Sequence, residues 1–213
     1  MRVLVTAFEP FGGDPENASL EAVRALESTF SEPGIELVTA VLPVSLDAFP
    51  ALLAAAREYE PDAVLAVGEA GGRREITPER QGVNENTFRI PDNAGNQPQH
   101  EPIEADGPAA RASGFDVDAL VAAIAEVGLP ARASDDAGRF LCNHVAYRVA
   151  DLPVPGGFVH VPAIRTRGAA TVGAETDPCA APGGAAGGEG TTALTSADLG
   201  TALAACVRVI AGE

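Results

Sequence analysis

Hydrophobic positions along the chain come in short bursts of two kinds, unbroken runs and runs with helical spacing. Residues 2–8 (RVLVTAF) are an unbroken run, the pattern of a strand buried on both faces. A turn rich in Gly, Pro and Asn (EPFGGDPEN) follows. Leu20, Val23 and Leu26 then recur at helical spacing over residues 19–28. Residues 35–44 read as a second strand. Residues 47–59 read as a second helix, with Leu52, Leu53 and Ala56 on one side and Pro61 ending it. DAVLAVG at 62–68 is another buried strand. Strand and helix alternate, which is the signature of an α/β fold with right-handed crossovers.

The rhythm breaks at residues 69–116, which carry many Gly, Pro, Asn and Gln and no clear period. A loop region this long inside a compact domain is functional or disordered. Pattern resumes with a helix at 117–127, a short strand near 131–134, a turn and helix within 136–150, and a strand at 157–161 (GFVHV). Residues 165–192 are rich in Ala, Gly and Thr and read as a flexible low-complexity segment. Leu199, Leu203, Val207 and Ile210 mark a last helix over 196–211. No internal repeat stands out, and 213 residues fit one domain spanning the whole chain.

Composition narrows the partners. The chain has 30 Asp and Glu against 14 basic residues, a net charge of −16, and every basic residue is Arg. That balance argues against nucleic acid, whose phosphates need clustered cations, and against anionic membranes. With 46% hydrophobic residues the chain is not a disordered polyanion. Acid excess without lysine points to a salt-rich cytoplasm, where screening relieves the repulsion of a hydrated acidic coat, ahead of the plainer reading of a GC-rich genome that favours Arg and Ala over Lys. The three scattered cysteines, Cys142, Cys179 and Cys206, suit a reducing compartment. The first residues lack the long apolar stretch of a signal peptide, and no apolar run approaches the ~18 residues of a membrane span.

In open α/β sheets, ligands bind beyond the carboxyl ends of the strands. That rule selects the turn after Phe8, the loop after Gly68, the turn at 138–142, and His160 at a strand end. Cys142 (AGRFLCNH) follows a glycine turn and opens a helix, a setting that lowers a thiol pKa and offers backbone N–H groups to an oxyanion. His160 (GFVHVP) is then a candidate base, and Glu79 (ITPER) a carboxylate to orient it. Read alone, each has a plainer role: a buried thiol, a core histidine, a solvated loop acid. His144, two residues after Cys142, points elsewhere on the helix, and His100 lies in a polar loop. The Cys and His spacing does not fit a zinc site, and GEAGGR lacks the spacing of a dinucleotide loop.

Five segments, FEPFGG, GEAGGRREITPER, RIPDNAGNQP, AGRFLCNH and GGFVHVP, occur in order over residues 1–162. Together they resemble the pyroglutamyl peptidase I (pyrrolidone-carboxylate peptidase) family of cysteine peptidases. The resemblance implies a three-layer α/β/α fold with a twisted, mostly parallel mixed sheet. It implies removal of N-terminal pyroglutamate from peptides by thioester formation and hydrolysis, without metal or cofactor, and often as a tetramer. Carried onto this sequence, Cys142 is the nucleophile, His160 the base and Glu79 the orienting acid. Arg89 and the Cys142 backbone fall at the oxyanion. Phe8, Phe11, Phe140, Glu69 and Ile90 fall at the substrate ring. A neutral lactam suits such a site, since it calls for apolar plates and a few hydrogen bonds rather than a charged clamp.

The sequence also departs from the family. Glu69 stands where Gln is common, either replacing an amide donor or facing away. The Cys142–His160 interval is short, and the resemblance thins from residue 163. Two other readings stay open: a binding protein on the same fold with weakened catalysis, and an amidase for another small acyl amide. Residues 73–90 hold four of the arginines against three glutamates, so the acidic coat does not extend to the segment that carries the chemistry.

Overall fold

The computed structural model describes residues 1–164 and 194–212. The expected flexible segment at 165–192, with Cys179, lies outside the described residues. The opening apolar run forms β1 (Arg2–Phe8), followed by α1 (Ala18–Thr29), β2 (Glu36–Leu42), α2 (Ala48–Tyr59) and β3 (Ala63–Ala70). Three short strands come next, β4 (Thr77–Pro78), β5 (Gln81–Val83) and β6 (Ala110–Ala112). Helices α3 (Val117–Glu126) and α4 (Leu141–Val149), strand β7 (Gly156–Pro162) and helix α5 (Ser196–Ala211) complete the order. The main sheet runs β2-β1-β3-β7-β4, parallel throughout except for antiparallel β4. Strands β5 and β6 form a separate antiparallel pair.

Side chains alternate across a strand, so each run of apolar residues serves two cores. Val3 and Val5 of β1, Leu65 and Val67 of β3, and Val159 and Val161 of β7 pack under α1, α3 and α5. Leu4 and Phe8, Val64 and Ala66, and Phe158 pack under α2 and α4. The sheet is thus the middle of three layers. Helices α1 and α5 approach closely because Gly200 has no Cβ; one there would lie 2.8 Å from the Ala25 Cβ.

Two expectations change. Residues 131–134 do not form a strand. Ala131 and Ser134 make only isolated bridges to Ile76 and Glu79, so this segment braces the chain on either side of β4. The long polar stretch at 69–116 is ordered, because side-chain amides and carboxylates supply the backbone partners that regular structure would otherwise provide. Asn84 joins Glu104 and Gly107, Asn143 holds Val83 and Glu85, and Asp92 accepts from the N–H groups of Leu46, Ala94 and Asn96.

Candidate active site

The carboxyl ends of β3 and β7 meet the start of α4. Gly68 of β3 and His160 of β7 are partners in the parallel register, on the face covered by α4. A Cβ on Gly68 would lie 2.8 Å from the Cys142 Sγ and 2.7 Å from the Phe158 ring. The thiol therefore packs directly over the strand pair that carries the histidine. Cys142 is half-buried, the second residue of α4. Phe140, which caps that helix, offers no side-chain hydrogen bond, so the first-turn N–H groups of α4 receive no cap from it.

His160 is buried and packs against Phe158 with the rings tilted, 4.9 Å between centres. Its Nδ1–H donates to Glu79 Oε1 at 2.7 Å, which leaves Nε2 as the basic nitrogen. Strand β4 sets this contact, because Thr77 pairs with His160 across the antiparallel edge and the Glu79 N–H donates to the Phe158 carbonyl. Burial alone would raise the Glu79 pKa. The hydrogen bond from His160, with the His160 and Arg73 charges, outweighs burial and holds it below the usual range. Arg73 Nη1 donates to the same Glu79 oxygen at 2.5 Å.

The thiol reverses one expectation. A helix start was expected to lower its pKa, but burial pushes the Cys142 thiol up to about 12. Arg73 opposes that rise, and the carboxylates of Glu79 and Glu69 add to it. The sulfur sits close over Gly68, and the desolvation of its charged form outweighs the helix terminus.

Three aromatic rings gather at the start of α4. Phe140 lies 5.3 Å from Phe11 and 4.4 Å from Phe88, centre to centre. Phe88 is fully buried and was not anticipated; its only sequence signal is its place beside Arg89 in NTFRIPDN. Phe8, which the resemblance set at the substrate ring, keeps the strand position its sequence run gave it. It ends β1, only 3% exposed, and packs in the core under α2 and α4, because the apolar run continues through it. Arg89 is exposed and Ile90 half-buried, directly after Phe88. Glu69 turns to α1, where its Oε2 accepts the Ala18 N–H at 2.6 Å at the positive end of that helix.

The other candidates serve the scaffold. His144 is buried with Nδ1 3.2 Å from Asn86 Oδ1, and burial lowers its pKa to about 4. His100 is exposed and pairs with Glu85. Cys206 is a buried core thiol of α5. Among the described residues no group of three or more His, Cys, Asp or Glu side chains is placed to hold a metal. No described helix is long and apolar enough to cross a membrane. Arg73 and Gly68 are central here and were not singled out from sequence.

A thiol at a helix start, packed over a carboxylate-paired imidazole, is the equipment of a cysteine-type peptidase. Comparison with known proteins makes the class specific. The chain belongs to the pyroglutamyl peptidase family, whose sequence pattern it matches over residues 1–180. It is 46% identical over 166 residues to the pyrrolidone-carboxylate peptidase of Vibrio parahaemolyticus, covering 76% of this chain and 78% of that protein. It is 44% identical over 170 residues to the protein of that name from Streptococcus pyogenes, with the same coverage. The crystal structure of pyroglutamyl peptidase I from Bacillus amyloliquefaciens superposes with a TM-score of 0.83 at 35% identity, covering 100% of this chain and 97% of that one. The pyrrolidone carboxyl peptidase of Thermus thermophilus gives 0.70 at 41% identity, over 75% and 84% of the two chains.

Proposed function

We propose that Cys142, His160 and Glu79 carry out the reaction of this family, the removal of N-terminal pyroglutamate from peptides. The observation that carries the assignment of roles is the 2.7 Å Glu79–His160 pair set beside the Cys142 thiol by Gly68. Because burial keeps the thiol protonated at rest, its proton moves to His160 Nε2 as Sγ attacks the pyroglutamyl carbonyl. Glu79 stabilises the imidazolium that results. The tetrahedral oxyanion forms near the open first turn of α4, where the Cys142 N–H and Arg89 would stabilise it. Collapse breaks the C–N bond, and His160 returns its proton to the leaving amine. Water, deprotonated by His160, then attacks the thioester and releases free pyroglutamate and the thiol.

Phe11 and Phe140, backed by Phe88, supply apolar plates for a neutral lactam ring, and Ile90 extends them. Glu69, seated on α1, shapes the site by charge, its carboxylate acting on the thiol. The acidic, lysine-free composition supports a salt-rich cytoplasm as the setting, and likeness to the family supports a homo-oligomer. The decisive test is hydrolysis of a pyroglutamyl chromogenic amide by Cys142→Ala and Cys142→Ser. Both variants should be folded by circular dichroism and inactive. Wild-type turnover by either would overturn the assignment.

A further inference from the structure

Arg73 stands beside the site with only 8% of its side chain exposed, and no step above uses it. A cation that deep is costly unless it is paired and hydrogen-bonded. Its Nη1 donates to Glu79 Oε1 at 2.5 Å and also reaches Thr77 Oγ1. Its Nη2 donates to the Asp136 carbonyl at 2.8 Å. These partners belong to two separate segments. Thr77 lies on β4 and Glu79 directly follows it, at the edge that pairs with His160. Asp136 opens the turn that runs through Gly138 and Phe140 into Cys142. A planar guanidinium fork can hold both at once, which a single ammonium point charge does poorly.

We infer that Arg73 is a positioning residue, locking the Glu79 carboxylate against His160 and tying that pair to the turn that presents Phe140 and Cys142. This rests on the roles proposed for Cys142, His160 and Glu79. Arg73 acts through Glu79: with one oxygen shared between Arg73 and His160, the carboxylate cannot swing away from the imidazole. Its Nη1 also lies 3.4 Å from His160 Nδ1, so its charge opposes protonation of the resting ring. Cys142 from α4 and Glu69 from β3 also act electrostatically at this site.

The test is a double-mutant cycle of Arg73→Gln with Glu79→Gln, read as kcat, KM and pH profile on a pyroglutamyl chromogenic amide. Arg73→Gln should lower kcat by about 10- to 100-fold with KM nearly unchanged, and should move the acid limb of kcat/KM to higher pH. In the Glu79→Gln background the same change should cost less than about threefold, because the group it positions is gone. Arg73→Lys should keep the acid limb and lose part of kcat. Equal losses in both backgrounds, or an Arg73→Gln variant with wild-type kcat, would overturn the inference. If Arg73→Gln does not fold, the cycle is run with Arg73→Lys and read from the kcat losses in the two backgrounds, which must again be unequal. Wild-type kcat in Glu79→Gln alone would instead sink the triad reading, so the two failures are distinguishable.

Discussion

Gly68 and Cys142 face each other across a gap that admits hydrogen and nothing larger, since a Cβ on Gly68 would stand 2.8 Å from the thiol sulfur. Gly68→Ala should therefore push Sγ away from its place over the β3–β7 pair. We expect kcat to fall at least about 10-fold, while overpacking costs about 1–3 kcal/mol of stability. Turnover measured alongside thermal unfolding checks this. A stable Gly68→Ala protein with wild-type turnover would show that the close approach is idle.

The raised thiol sets the pH dependence of alkylation. With burial holding Cys142 up to about 12, its reaction with iodoacetamide should keep accelerating across the alkaline range. A plateau near neutral pH would mean a preformed thiolate–imidazolium pair instead. Arg73→Gln should slow alkylation further, because Arg73 opposes the rise.

His144 predicts acid sensitivity unrelated to catalysis. Its folded pKa is lowered to about 4 against an ordinary 6.5. Between those values the unfolded chain binds the proton and the folded chain does not. Stability is therefore full above pH 6.5 and falls as pH drops toward 4, by up to about 3 kcal/mol. His144→Gln, which can still meet Asn86, should flatten this part of the stability curve measured by urea unfolding. An unchanged acid slope would assign the loss to other groups.

The net charge of −16 predicts a salt response. Screening shortens from ~10 Å at 0.1 M to ~3 Å at 1 M salt, so mutual repulsion in the coat should fade over that range. The melting temperature should rise with potassium chloride, and activity with it. Full stability in dilute buffer, unchanged by salt, would count against adaptation to a salt-rich cytoplasm.

The regular elements were legible because their signals are local. The run RVLVTAF and the 196–211 spacing each mark their element to within a residue, since burial on one or two faces writes itself into period. That Cys142, His160 and Glu79 come together was legible from their places beside strand ends and from family motifs. Arg73 was not, because its value lies in partners 6 and 63 positions away that only the folded edge brings together. Phe8 shows the converse, since its strand position was legible but the burial of its ring was not. Its neighbours Glu9 and Pro10 look like loop, but the strand keeps its ring in the core.

Strand β4 has two residues, yet among the described residues it is the partner of β7 on that edge of the main sheet and brings Glu79 to His160. The chain supplies β1, β2 and β3 early, whereas β7 arrives some eighty residues after β4. A partly folded molecule holding only the first three strands carries a complete apolar platform but no paired imidazole. Closing the sheet at β4–β7 is therefore also what sets the Glu79 carboxylate against the His160 ring. On the roles proposed above, the Glu79–His160 pair exists only once β7 is seated against β4.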